Sequence, residues 1–354
     1  MTTENRAVTQ TWGTAPSPKP HSKRLLFVLA MALMLGLAGC APSWREAEAY
    51  ALGTRIACRI SGSGTAMDVA WDALTQTENQ MSLSLPQSQI SLANAAQGQP
   101  TSVSLETARV LATGLELSRR SEGAFDMTVR PAMELWGLLP QNWEQALDTL
   151  PGQEAIEDAL RRIGWEKVTL DGNTLTLADG AALDLGGIAK GYAGDQMAAA
   201  LGEHGVKNGL LDLGGNIVAL GTKAGKPWVV GIQDPRAPGK AALTLPVSDA
   251  TVSTSGLWER YVEIDGQRYG HIIDPKTCAP VDNELLSVSV TGTEGILCDG
   301  LSTACFVLGF EKALPLLESY AMEGVFLFKD GTVAATPGLR GKATLAGTDW
   351  RWRE

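Results

Sequence analysis

Asp299 and Thr303 stand four residues apart in Cys298-Asp299-Gly300-Leu301-Ser302-Thr303-Ala304-Cys305, the spacing that puts two side-chain oxygens on one face of a helix. Such a pair suits Mg²⁺, a hard cation that commonly completes its shell with phosphate and water. The competing reading makes Asp299 a helix N-cap that accepts from the amide of Ser302. His271 lies in Tyr269-Gly270-His271-Ile272-Ile273-Asp274-Pro275, two residues after a tyrosine and three before an Asp-Pro turn. Imidazole is the side chain best able to accept a proton near neutrality, although a lone histidine also serves as a packing residue. The other two histidines are set aside: His21 lies in an N-terminal leader, and His204 sits beside Gly205 at an expected helix end, where the dipole explains it. The third feature is the stretch 183–221, in which Leu-Asp-Leu-Gly-Gly occurs at 183–187 and again at 211–215, on either side of an expected helix. Gly186 and Gly187 lack Cβ, so the backbone can approach a bound group closely, and the helix that follows offers its positive end to an anion.

This stretch is neither G-x-G-x-x-G nor a P-loop. Two tight turns around a packed helix would also account for the glycines. Asp184 and Lys190, opposite charges that bracket the first turn, favour a ligand instead. A glycine turn, an oxygen pair and a histidine together point to a diphosphate-bearing substrate, cleaved or transferred with metal help.

The elements that must position these residues follow from periodicity. Residues 44–60 read as an opening strand, 68–81 and 105–121 as helices with apolar faces, and 82–94 as a polar segment. A helix at 154–163 precedes strands at 167–170 and 174–177, joined by Asp171-Gly172-Asn173, a hairpin signal. Further strands are expected at 210–213, 227–232, 250–253, 286–290 and 324–328, with one buried helix at 299–309. Strands that do not alternate strictly with helices indicate an α+β domain.

The N-terminus carries Lys19, Lys23 and Arg24, then the apolar run LLFVLAMALMLGLA at 25–38, then Gly39 and Cys40. The run is short for a spanning helix, and it reads as a secretory signal at 1–39. Leu37-Ala38-Gly39-Cys40 matches the bacterial lipobox, so the expected product is an envelope protein, periplasm-facing and lipid-anchored through Cys40, with a plain transmembrane anchor as the alternative. Its mature part, 40–354, has 25 basic and 38 acidic residues, which argues against a nucleic-acid partner. Cys58, Cys278, Cys298 and Cys305 show no metal-ligand spacing, and on one helix Cys298 and Cys305 stand about 10 Å apart, too far to bridge.

Seven segments, in order, carry a resemblance: Leu52-Gly53-Thr54; MSLSLPQSQISLAN at 81–94; GAFDMTVRPAMELWG at 123–137; LDLGGIAKGYAGD at 183–195; STSGLWERY at 253–261; YGHIIDPKTCAPV at 269–281; and DGLSTACFVLG at 299–309. They resemble the ApbE family of FAD:protein FMN transferases over almost the whole mature chain. The resemblance implies one compact mixed-sheet α+β domain of the ApbE, T-fold-like type. It implies Mg²⁺-dependent transfer of FMN from FAD to a Thr or Ser hydroxyl of a target protein, with release of AMP. By position it implies Leu52, Ser84, Ala124, Phe125, Asp126, Asp184, Lys190 and Ile272 as FAD contacts. It further implies Asp299, Thr303 and the Gly187 carbonyl as Mg²⁺ ligands, and His271 as the base that activates the acceptor. Acceptors would be envelope-facing subunits of complexes such as sodium-translocating NADH:quinone reductase or Rnf-type complexes.

Two positions depart from the family pattern. Ser84 stands where an aromatic residue is usual, and Cys278 stands where glycine is usual. The first motivates two alternatives: a Mg²⁺-dependent FAD diphosphatase that gives FMN and AMP, and a non-catalytic FAD-binding lipoprotein.

Overall fold

Strand alternation builds the centre of the molecule. In the strand Glu323–Phe328, Val325 and Leu327 face one side while Phe326 and Phe328 face the other, and all four are buried. A strand covered on both faces reads as a continuous apolar run. The computed structural model describes residues 43–139, 149–257 and 260–354. Residues 1–39, expected to be a leader, and Cys40 lie outside them, and among the described residues no helix is long and apolar enough to cross a membrane. Trp44–Glu354 forms one compact unit.

Among the described residues, nine strands make one sheet in the order Trp44–Ala51, Thr54–Ser61, Gly209–Asp212, Asn216–Leu220, Ala250–Gly256, Leu285–Gly292, Glu323–Phe328, Thr332–Ala335 and Arg351–Trp352. Neighbours pair antiparallel except the last two, which are parallel. On one face lie the helices Gly64–Met81, Ala189–Glu203 and Gly295–Leu308, with Leu105–Arg120 against the last. A three-stranded sheet, Thr344–Leu345, Ala241–Val247 and Trp228–Gln233, packs its apolar side chains against Val252, Val325 and Leu327 on the other face. The hairpin Val168–Asp171 and Thr174–Leu177 forms as expected.

Helix Gly295–Leu308 is buried nearly all round, as its largely apolar sequence favours, and its polar residues Asp299, Ser302 and Thr303 are hydrogen-bonded within the protein. It crosses helix Ala189–Glu203 at two glycines. A Cβ on Gly191 would stand 2.1 Å from the Gly295 carbonyl oxygen, so only glycine permits the approach.

Three expectations are revised. The buried helix begins at Gly295, not at 299, so Asp299 lies in its second turn and is no N-cap. The cap comes from the neighbouring helix instead: Asp195 accepts from the amides of Gly295 (2.7 Å) and Ile296 (2.9 Å). The polar segment 82–94 contains a helix, Gln89–Ala95, capped by Ser88. A further helix, Phe310–Ser319, follows Gly309, which at φ 76° closes one helix and opens the next. Cys58, Cys278, Cys298 and Cys305 are free and buried.

Candidate active site

A cleft of about 1320 Å³ opens where both glycine turns, the second turn of helix Gly295–Leu308 and the segment 269–273 meet. Every proposed site residue among those described, from Leu52 to Thr303, lines it.

The Asp299 carboxylate, 3 % exposed, organises the floor. Its Oδ2 accepts from the Gly191 amide (2.9 Å), and its Oδ1 accepts from Asn216 Nδ2 (3.2 Å). Lys190 Nζ stands 3.7 Å from the same Oδ1 and donates to the Gly186 carbonyl (2.8 Å). One turn along the helix, Thr303 Oγ1 lies 3.2 Å from Ser255 Oγ, which also bonds Ser302 Oγ at 2.8 Å. The Gly187 backbone presses on this pair: a Cβ there would lie 3.3 Å from both Thr303 Oγ1 and Phe125 Cε2.

The first Leu-Asp-Leu-Gly-Gly turn is fixed from behind. Asn94 bonds both the amide and the carbonyl of Leu183 (2.7 and 2.9 Å), and Asp184 Oδ1 accepts from the Gly186 amide at 2.7 Å. Phe125 and Ala124 are buried in the adjoining wall. Asp126 is committed to its own loop, since its carboxylate accepts from the Thr128 amide and hydroxyl (2.8 and 2.7 Å) and from the Trp165 amide (2.9 Å). Burial nonetheless pushes its carboxyl above the ordinary range. Leu52 adopts φ 51° in the hairpin turn, its amide donating to Glu78 Oε1 (3.0 Å), while Arg260 Nη2 holds the Gly53 carbonyl at 2.9 Å. Ser84 follows a turn in which its amide donates to Ser82 Oγ (3.3 Å). Ile272 is buried beside His271.

His271 is half-buried, and its Nδ1 stands 3.2 Å from the Arg260 carbonyl oxygen. With Nδ1–H as donor, Nε2 keeps its lone pair. Burial, then the positive charges of Arg260 and Lys190, lower the His271 pKa to about 3, so the ring is neutral at pH 7.

The ApbE family profile matches residues 52–326. The chain belongs to the ApbE family. It is 36 % identical over 294 residues to a protein of Treponema pallidum named FAD:protein FMN transferase, covering 77 % of this chain and 80 % of that one. It is 31 % identical over 315 residues to a Vibrio cholerae protein of the same name, covering 86 % and 93 %. Among solved structures it is similar to the apo form of the Pseudomonas stutzeri flavinyl transferase ApbE, with a TM-score of 0.74 and 30 % identity over 85 % of this chain and 96 % of that one. The ApbE protein of Thermotoga maritima gives a TM-score of 0.78 at 28 % identity, covering 85 % and 99 %.

Within this family frame, several cleft residues escaped the motif reading. Ser255 and Arg260 lie inside the quoted segment 253–261, yet a serine in a strand and an arginine beyond it carry no local signal of contact with Thr303 or Gly53. Asn216 follows the second glycine pair and reaches Asp299 across 83 residues. The second Leu-Asp-Leu-Gly-Gly turn also lines the cleft, through Asp212, Gly214 and Gly215. Among the described residues no three His, Cys, Asp or Glu side chains cluster as a metal site. The donors that do converge, Asp299, Thr303, Ser255 and the Gly187 turn, are all oxygen, which is the chemistry Mg²⁺ selects.

Proposed function

We propose that this chain is an FAD:protein FMN transferase that moves FMN from FAD to a Thr or Ser hydroxyl of an acceptor protein and releases AMP. Its place among flavin transferases follows from family membership. The observation that carries the finer reading is the convergence of the Asp184–Lys190 turn, the Asp299/Thr303 face and His271 on one cleft.

Asp299, Thr303 and the Gly187 carbonyl would hold Mg²⁺, which when bound supplies charge neutralisation on the diphosphate. The chain's own groups do the rest. Lys190, tethered to Gly186 and Asp299, adds a positive charge at the turn. Leu52, Ser84, Ala124, Phe125, Asp126, Asp184 and Ile272 line the space for FAD. His271 takes the proton of the acceptor hydroxyl while the hydroxyl oxygen bonds to the FMN phosphorus and the bond to the AMP oxygen breaks. With its pKa lowered to about 3, the ring by itself is a weak base. Burial is the first cause of that low value; the anionic diphosphate beside Lys190 and Arg260 would offset the second, their positive charges, and so raise the ring's proton affinity.

The test is incubation of the protein with FAD, Mg²⁺ and an envelope-facing electron-transfer subunit such as one from a sodium-translocating NADH:quinone reductase or Rnf-type complex. A fluorescent band should survive denaturing electrophoresis, and its absence with a proven acceptor overturns the reading. A second reading, FAD hydrolysis, is favoured by Ser84, which lines the cleft where the family pattern has an aromatic ring to stack. Fast acceptor-free release of FMN and AMP would support it.

We further read 1–39 as a signal, 40–354 as the transferase domain, and Cys40 as the lipidated residue that anchors the protein in the bacterial envelope. Cys40→Ser should shift the protein from the membrane to the soluble fraction, and continued membrane association would exclude a lipid anchor.

A further inference from the structure

The Asp299 carboxylate is gripped from two sides by residues that follow the two copies of one pentapeptide. From the helix after the first copy come the Gly191 amide on Oδ2 (2.9 Å) and Lys190 near Oδ1 (3.7 Å). After the second copy comes Asn216, the residue directly following Gly215, whose Nδ2 donates to Oδ1 (3.2 Å). Asn216 is 1 % exposed and opens the strand Asn216–Leu220, where it pairs with Ser253 on the neighbouring strand. The Ser253 hydroxyl, fully buried, donates to Asn216 Oδ1. The acceptor-only carboxylate decides which end of the amide faces it, since the flipped rotamer would set two acceptor oxygens against each other, and the Ser253 bond then holds the amide plane in place.

We propose that Asn216, locked by Ser253, is a positioning residue that orients the Asp299 carboxylate for a divalent cation, so that the second pentapeptide acts on the site through the side chain that follows it. The proposal rests on reading Asp299 as a metal ligand. Two features favour this role over simple burial of an asparagine. The Asn216 side chain directs a donor to a carboxylate oxygen and an acceptor to a hydroxyl, while its backbone makes the sheet bonds. And a carboxylate held at both oxygens by N–H donors keeps a single plane, leaving its remaining lone pairs free for a cation.

The experiment is Mn²⁺ binding to the whole protein, followed by electron paramagnetic resonance, with metal-free FAD affinity measured in parallel. Asn216→Ala should weaken Mn²⁺ binding about 10- to 100-fold, the range for loss of a group that orients a ligand, while FAD affinity without metal stays that of the parent. Ser253→Ala should weaken it in the same direction but less, and Ser253→Thr, which restores the hydroxyl, should return it to the parent value. Should Asn216→Ala fail to fold, the Ser253 pair decides alone. Unchanged Mn²⁺ affinity in Asn216→Ala or in Ser253→Ala, or FAD affinity falling in step with it, overturns the proposal. Asp299→Asn separates the two levels. If it abolishes Mn²⁺ binding while Asn216→Ala leaves it intact, the metal reading stands and this one falls. If the parent binds no Mn²⁺, both fall.

Discussion

The two Leu-Asp-Leu-Gly-Gly copies begin alike and end differently. In each, the aspartate accepts from the amide two residues on: Asp184 from Gly186 at 2.7 Å, Asp212 from Gly214 at 3.0 Å. Beyond that bond they part. Gly214 and Gly215 both take positive φ, 63° and 87°, and the chain reverses into the antiparallel strand Asn216–Leu220. Gly186 and Gly187 take no positive φ, and the chain runs on into helix Ala189–Glu203. The residues that follow favour this: Asn-Ile-Val-Ala-Leu carries two adjacent β-branched residues, whereas Ile-Ala-Lys-Gly-Tyr-Ala-Gly carries one, Ile188, ahead of the helix. So the same pentapeptide uses its glycines for two purposes, backbone approach to the cleft in the first copy and chain reversal in the second.

The sharpest way to break this contrast is to compare the chemistry facing the first copy with the second copy's own aspartate. His271→Ala should lower transfer about 100- to 10,000-fold, the usual contribution of a general base, with FAD binding and Tm kept. Asp212→Ala, which removes the acceptor of the Gly214 amide, should lower Tm and leave transfer near the parent's. A transfer loss in Asp212→Ala that matched His271→Ala would end the division of roles.

The glycines come next. Gly187→Ala puts a methyl 3.3 Å from Thr303 Oγ1 and Phe125 Cε2 at an ordinary φ. It should slow transfer by about tenfold or more, since small misplacements at a site carry large rate effects, and leave a denaturant melt almost unmoved. Gly214→Ala adds a Cβ 2.2 Å from Thr54 Oγ1 at φ 63°, and should lower unfolding free energy by about 2–4 kcal/mol. Reversal of that pattern would show the first turn to be structural and the second to be the ligand's.

The smallest effect is in pH. The folded His271 pKa of about 3 lies below its unfolded value of 6.5. The unfolded chain therefore takes up the proton first, and stability present above pH 6.5 is lost as pH falls toward 3. His271→Ala should flatten the acid limb of a Tm-against-pH curve, and an unchanged limb would show that burial and the Arg260 and Lys190 charges do not hold the ring neutral.

Several elements could be read before any coordinates, and others could not, for identifiable reasons. Hairpin 168–177 was legible because Asp171-Gly172-Asn173 punctuates two short alternating runs, and Gly172 indeed takes φ 59°. Helix Phe310–Ser319 was hidden because Gly309 reads as a terminator and Pro315 lies inside the helix. Asp299 looked like a cap because Asp followed by Gly and Ser mimics a helix start. The true start, four residues earlier, is capped by Asp195 from another helix, a partner 100 residues away. Cys278, where glycine was expected, simply adopts φ 55°, its carbonyl held by Trp136 Nε1 at 2.7 Å.

By itself the sequence determined what is local: the Asx bonds of both pentapeptides, the four-residue spacing of Asp299 and Thr303, the amphipathic helices and the order of family segments. Only the tertiary structure decided which donors meet Asp299. Gly191 reaches it because two helices cross without Cβ atoms, and Asn216 reaches it because antiparallel pairing with Ser253 sets its register. Both contacts join residues whose separation along the chain carries no periodic signal, so a sequence pattern, which records neighbours and faces, could name the carboxylate but not the groups that hold it.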